Sequence, residues 1–166
     1  MKAPSDLALL RLSRQVGRSL LRAGRTVTAA ESCTGGWIGK VLTDVPGSST
    51  WLRSVFVTYA NEAKTELLGV PAALLRREGA VSEAVVRRMA RGALSRARAD
   101  VAVAVSGVAG PGGGSAEKPV GMVWFGRAER CGRTVRVEAF VRHFGGDRDA
   151  VRRCAVACAL KYVLRR

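Results

Sequence analysis

At 166 residues, 48% of them hydrophobic, the chain can bury roughly 70% of the surface its unfolded form would expose. That argues against disorder and removes any need for a disulfide or metal scaffold. The net charge is +15, from 28 basic against 13 acidic residues, but the arginines are spread along the chain with no basic block and only seven Trp and Phe are available to stack on bases. RNA or DNA is therefore not the expected partner, whereas a positive field suits a small phosphorylated substrate.

Ser5 caps an expected helix over Asp6–Ala23, in which Leu9, Leu12, Val16 and Leu20 share one face and Gly24 is the stop. Arg11, Arg14 and Arg18 interrupt this opening stretch, so it reads as an amphipathic helix and not as a signal peptide. Asp6 counts against a transit peptide, and no apolar run approaches the ~20 residues that span a bilayer. A cytoplasmic protein without membrane contact is expected.

Thr26–Ala30 reads as a strand running into Glu31-Ser32-Cys33-Thr34-Gly35-Gly36, followed by a helix over Trp37–Leu42 and a turn at 46–49. A second strand is expected at Val55–Tyr59. Asn61 reads as an N-cap for a helix over Glu62–Leu68, and Pro71 opens a short helix to Glu78. Ser82 caps a longer helix through Ala99. Val101–Val105 is apolar on both faces, as in a covered strand. The glycine loop 106–115 comes next, then strands over Val120–Ala128 and Thr134–Phe144, and a last helix from Asp147 to Arg165. This order predicts one α/β domain over residues 1–166, three-layered α/β/α, with a mixed, mainly parallel sheet.

Three places carry chemistry-bearing residues. Ser32 sits at a strand-to-helix turn, where unpaired N–H groups can bind an oxyanion while the hydroxyl attacks a carbonyl; Ser32 or Thr34 as a plain helix cap is the simpler alternative. Lys64 falls in the first turn of a helix, where the positive dipole end and partial burial favour a neutral amine able to serve as base, with Tyr59 nearby; a solvent-facing lysine is the alternative. The loop 106–115 holds five glycines but no Gly-Lys-Ser/Thr, so it is no P-loop; its amides can approach a phosphate or carbonyl oxygen. Arg148, just after Gly145-Gly146, can pair with a phosphate. Cys33 is a rival nucleophile, since a helix start can lower a thiol pKa. The single histidine, His143, lies more than a hundred residues away in sequence. Cys131, Cys154 and Cys158 form no zinc pattern, so no metal is expected.

The blocks Ala30-Glu31-Ser32-Cys33-Thr34-Gly35-Gly36, Phe56-Val57-Thr58-Tyr59-Ala60-Asn61-Glu62-Ala63-Lys64, Gly79-Ala80-Val81-Ser82-Glu83, the run from Ser106 to Gly121, and Phe144-Gly145-Gly146-Asp147-Arg148 stand in one order. Together they resemble the CinA carboxy-terminal domain family over about residues 6–163. The resemblance implies hydrolysis of the carboxamide of nicotinamide mononucleotide, in pyridine nucleotide salvage, by a serine–lysine acyl-enzyme mechanism with no cofactor. It implies Ser32 as nucleophile, Lys64 as base and Tyr59 as assistant. Substrate contacts are expected from Thr34, Gly35, Gly36, Ser106, Gly107, Gly110, Gly112 and Arg148, and a homo-oligomer is expected. Ser106 and Val108 stand where many relatives carry Thr and Ile. A non-catalytic nucleotide-binding protein and an amidase for another substrate remain open as alternatives.

Overall fold

The computed structural model describes residues 3–165. Ser5 accepts a hydrogen bond from the Ala8 amide at 3.3 Å and starts α1 (Asp6–Ala23), which Gly24 ends in the left-handed conformation with φ 59°. β1 (Val27–Glu31) leads through the Ser32 turn into α2 (Trp37–Thr43), and a 3-10 turn at Ser48–Thr50 precedes β2 (Leu52–Val57). α3 (Asn61–Leu68), α4 (Ala72–Glu78) and α5 (Glu83–Ala97) follow, then β3 (Val101–Gly107), β4 (Met122–Cys131), β5 (Thr134–His143) and α6 (Arg148–Val163). Ser82 caps α5 through its side chain, as its sequence position predicts, and Asp147 caps α6, which begins one residue later than expected.

The sheet order is β2-β1-β3-β4-β5. β1 pairs in parallel with β2 and β3, whereas β4 is antiparallel to both β3 and β5, so the sheet is mixed. Its two faces are packed differently. α1, α2 and α6 cover one face over a core of large side chains that includes Leu9, Ile38, Trp51, Phe125 and Leu160. α5 covers the other, where Ala90, Ala93, Ala102, Ala104 and Ala128 keep the surfaces low. Gly126 completes this close approach: a Cβ there would lie 2.4 Å from the Val86 carbonyl oxygen of α5.

Several boundaries differ from expectation. β2 begins three residues earlier than Val55 and stops before Thr58-Tyr59, because the chain turns away there toward α3. Asn61 is the first helical residue; Ala60 is the cap and offers no side chain. Pro71 is likewise the cap of α4 and not its first turn. Arg98, at φ 51°, closes α5 two residues short of Ala99. β4 starts after Gly121, whose φ of 90° departs from strand conformation. α6 ends at Val163, short of Arg165. No helix among the described residues is long and apolar enough to cross a membrane.

The α5–sheet contact sets a stability prediction. Gly126→Ala forces backbone apart and is expected to lower unfolding free energy by about 1–3 kcal/mol in urea titration. Gly145→Ala, where a Cβ meets nothing within 4 Å, is expected to stay within about 0.5 kcal/mol of wild type. Equal effects at the two positions would refute the close-approach account.

Candidate active site

β1 leads to β2 on one side of it, and β3 leads to β4 on the other, so the loops leaving the C-terminal ends of β1 and β3 diverge and open a crevice. Ser32 follows β1 directly, and its amide donates to the Val105 carbonyl at 3.0 Å, which ties the turn to β3. Glu31 points to the α2 side and is fully buried. Its carboxylate accepts the amides of Gly36 (3.0 Å), Ile38 (3.1 Å) and Gly39 (2.8 Å). A buried carboxylate needs such donors, and a helix start has them to give. Gly35 donates to the Ser32 carbonyl at 3.1 Å and Trp37 to that of Thr34 at 3.3 Å.

That bonding narrows the expectation that the whole 33–36 turn offers free amides. Those of Gly35 and Gly36 are taken. Among the described residues, only the Cys33 and Thr34 amides of this turn lack a protein acceptor. From the other side, Arg152 of α6 donates to the carbonyls of Cys33 (3.2 Å) and Thr34 (2.8 Å) while its guanidinium lies 5.0 Å from the Trp37 ring centre. Thr34 is buried, and its hydroxyl has no partner.

The second half of the site comes from the β2–α3 connection. The Thr58 amide donates to the Glu31 carbonyl at 2.8 Å, which continues the β1–β2 pairing one step past the strand. The Lys64 side chain folds back over the start of α3 and is fully buried. Its Nζ donates to the carbonyls of Thr58 (2.8 Å) and Tyr59 (3.0 Å), with that of Ala60 at 3.5 Å. Burial pushes the Lys64 pKa below the usual lysine value, against the opposing charge of Glu62.

Ser32, Lys64, Tyr59, Ser106, Gly107 and Arg148 all border one cavity of about 200 Å³. Ser32 and Lys64 share it without a hydrogen bond between them. Ser106 is buried and donates to the Ala80 carbonyl at 2.8 Å. Tyr59 is exposed at the mouth: its carbonyl holds Lys64, and its hydroxyl accepts from Arg148 at 3.4 Å. Arg148 is anchored at 2.7 Å on the Gly110 carbonyl, so Gly110 acts on the site through that arginine. Thr34, Gly35, Gly36 and Gly112 do not line the cavity; Gly35 and Gly36 face a neighbouring open groove beside Trp37 and Lys40.

Cys33 borders the cavity too, but burial pushes its thiol up to about 12, the opposite of the lowering considered for a helix start. His143 lies exposed at the end of β5, away from the cavity. No cluster of three or more His, Cys, Asp or Glu among the described residues is placed to hold a metal ion. Ala80, Val81, Ala109 and the Arg152 clamp escaped the sequence reading. Small apolar walls carry no signature, and Arg152 is one of many helical arginines. Glu31 did carry a signal, the one charged residue of its strand.

The crevice thus defines an α/β protein with a serine and a buried lysine meeting at the switch point of its sheet. A profile of the CinA C-terminal domain matches residues 9–166. Nicotinamide-nucleotide amidohydrolase PncC of Escherichia coli K12 is 57% identical over 159 residues, 95% of this chain and 93% of that protein. PncC of Pseudomonas putida is 51% identical over 153 residues, covering 92% and 93%. The crystal structure of competence/damage inducible protein CihA from Agrobacterium tumefaciens superposes with a TM-score of 0.88 at 42% identity, covering 99% of this chain and 97% of that one. The chain belongs to the CinA C-terminal domain family.

Removing the Glu31 carboxylate leaves three amides unpaired. Glu31→Ala is expected to cost about 2–4 kcal/mol in chemical denaturation. Glu31→Gln keeps one acceptor oxygen and should cost less. An unchanged denaturation midpoint for Glu31→Ala would refute the role.

Proposed function

We propose that this chain hydrolyses the carboxamide of nicotinamide mononucleotide, giving nicotinate mononucleotide and ammonia. The observation that carries the chemistry is the meeting of Ser32 with a buried Lys64 in one cavity. The substrate follows from the relatives named as nicotinamide-nucleotide amidohydrolases.

A neutral lysine amine has two hydrogens and one lone pair. The two short bonds from Nζ to Thr58 and Tyr59 use both hydrogens and leave the lone pair for a proton from Ser32. Ser32 Oγ attacks the amide carbon as its proton passes to Lys64. The tetrahedral oxyanion takes a donor from the Cys33 amide, which has no protein acceptor and borders the cavity. Collapse breaks the C–N bond, Lys64 gives its proton to the departing nitrogen, and ammonia leaves an ester on Ser32. Water attacks that ester, passing one proton through Lys64 back to Ser32 and releasing the carboxylic acid. Arg148 binds the substrate phosphate at the cavity mouth, with Tyr59 beside it. Ser106 and Gly107 form the wall at the end of β3.

The test is ammonia release from nicotinamide mononucleotide with EDTA present. Wild type and Cys33→Ala are expected to be active, and Ser32→Ala to lose about 10²-fold or more. Activity retained in Ser32→Ala, or lost equally in Cys33→Ala, would overturn the serine assignment. The pH profile tests Lys64. The amine must be neutral to accept a proton, so kcat/KM should rise with pH and level off above a pKa lower than the ~10.4 of free lysine. Lys64→Arg, charged at every accessible pH, should lose activity and that rise together.

A further inference from the structure

At the other end of the sheet lies a larger cleft, of about 730 Å³, between the C-terminal ends of α1 and α6. It is bordered by the entry to β1 at Arg25 and the start of β3 at Val101. Five residue steps along β3 separate Val101 from Ser106, about 17 Å at strand rise, so this cleft is distinct from the catalytic cavity.

Six arginines border it: Arg18, Arg22, Arg25, Arg127, Arg136 and Arg165. Glu129 is the one carboxylate in the wall, and it is shared by Arg25 and Arg127. Arg136 reaches Glu138 at 3.6 Å, and Arg18, Arg22 and Arg165 pair with no carboxylate among the described residues. Arg127 is the built element of the floor. It is only 4% exposed, held by Glu129 and by the Arg165 carbonyl at 2.9 Å, and its Nε has no partner. Burial alone would raise the Glu129 carboxyl, but the two guanidiniums outweigh it and hold it below the usual range.

The wall therefore carries six positive charges and one negative. With Glu138 set against Arg136 and about −0.5 from each of the two helix C-termini facing the cleft, roughly +3 is left without a counterion in a concave space. A monophosphate brings at most about −2 and leaves part of that uncompensated. The volume falls within the roughly 300–1,000 Å³ of small-molecule sites, and its floor is a buried guanidinium. We propose that this cleft binds a small ligand carrying two or more linked phosphates, a nucleoside polyphosphate or inorganic polyphosphate, through these arginines. Planar guanidiniums on several sides suit the bidentate recognition of successive phosphoryl groups.

The experiment is calorimetric titration of the full chain with inorganic tripolyphosphate at fixed ionic strength, with orthophosphate and a short DNA duplex as comparators. Arg18 and Arg22 are exposed on α1, so R18Q/R22Q tests the cleft without touching the buried pair, and R88Q/R91Q on α5 controls for net charge. Wild type is expected to bind one tripolyphosphate per chain at least about tenfold more tightly than orthophosphate, and R18Q/R22Q to weaken it about tenfold while R88Q/R91Q does not. No saturable binding, equal loss in both double variants, or a duplex that displaces tripolyphosphate would overturn the proposal. So would loss confined to Arg148→Gln, which would put the anion in the catalytic cavity. The readout is binding without turnover, so it stands or falls separately from the amidohydrolase reading.

Discussion

The site depends on a carboxylate that has been taken out of water. Glu31 ends a strand buried along its whole length, and its charge is tolerated there because three amides at the start of α2 converge on it. The bonding works in both directions. A seven-residue helix with no side-chain cap of its own gains a charged acceptor, and the buried carboxylate gains donors. The geometry that results fixes where α2 begins and hence how the Ser32 turn is drawn. It also decides which amides remain open. A turn that looks rich in donors keeps only those of Cys33 and Thr34, the two next to the serine.

The same residue links the two halves of the site. The Glu31 carbonyl accepts the Thr58 amide, and the Thr58 carbonyl accepts Lys64 Nζ. One continuous set of hydrogen bonds thus runs from the helix after the serine to the lysine. Residues more than thirty apart in sequence take their positions from a single strand pairing. Arg152 clamps the carbonyls of the serine turn from α6, so the turn is held from both the sheet and the outer helix layer. Such a network costs little to hold once folded, which is the condition for preorganised catalysis.

Much of the scaffold is legible in the sequence because local chemistry decides it. Ser5 and Ser82 are side-chain caps where the pattern puts them, and Gly24 and Gly69 are left-handed stops. Misreadings cluster where a tertiary contact overrides a local signal. Asn61 has cap chemistry, yet the lysine tail and the Thr58–Ala60 carbonyls define the start of α3. The early start of β2 is set by its register against β1, where Val27 pairs with Leu52, and no turn residue marks it. Within the site, Ser32, Lys64, Tyr59, Ser106, Gly107 and Arg148 are nameable from the chain and do meet at one cavity. What they bond to is not nameable, because carbonyl acceptors such as Thr58, Ala80 and Gly110 have no residue-type signature.

Those carbonyl acceptors also explain how a charge of +15 becomes local. An arginine paired with a carboxylate is cancelled; one anchored on backbone carbonyls is positioned but keeps its charge. Arg148 on Gly110 and Arg152 on Cys33 and Thr34 are of the second kind, so Arg148 at the candidate cavity and Arg152 at the neighbouring groove keep their charge while they are held still. Arg153, one residue further along α6, is of the first kind, bonded to Asp6 and Asp149. The placement of acceptors, more than the number of arginines, decides where the field of this chain stays positive.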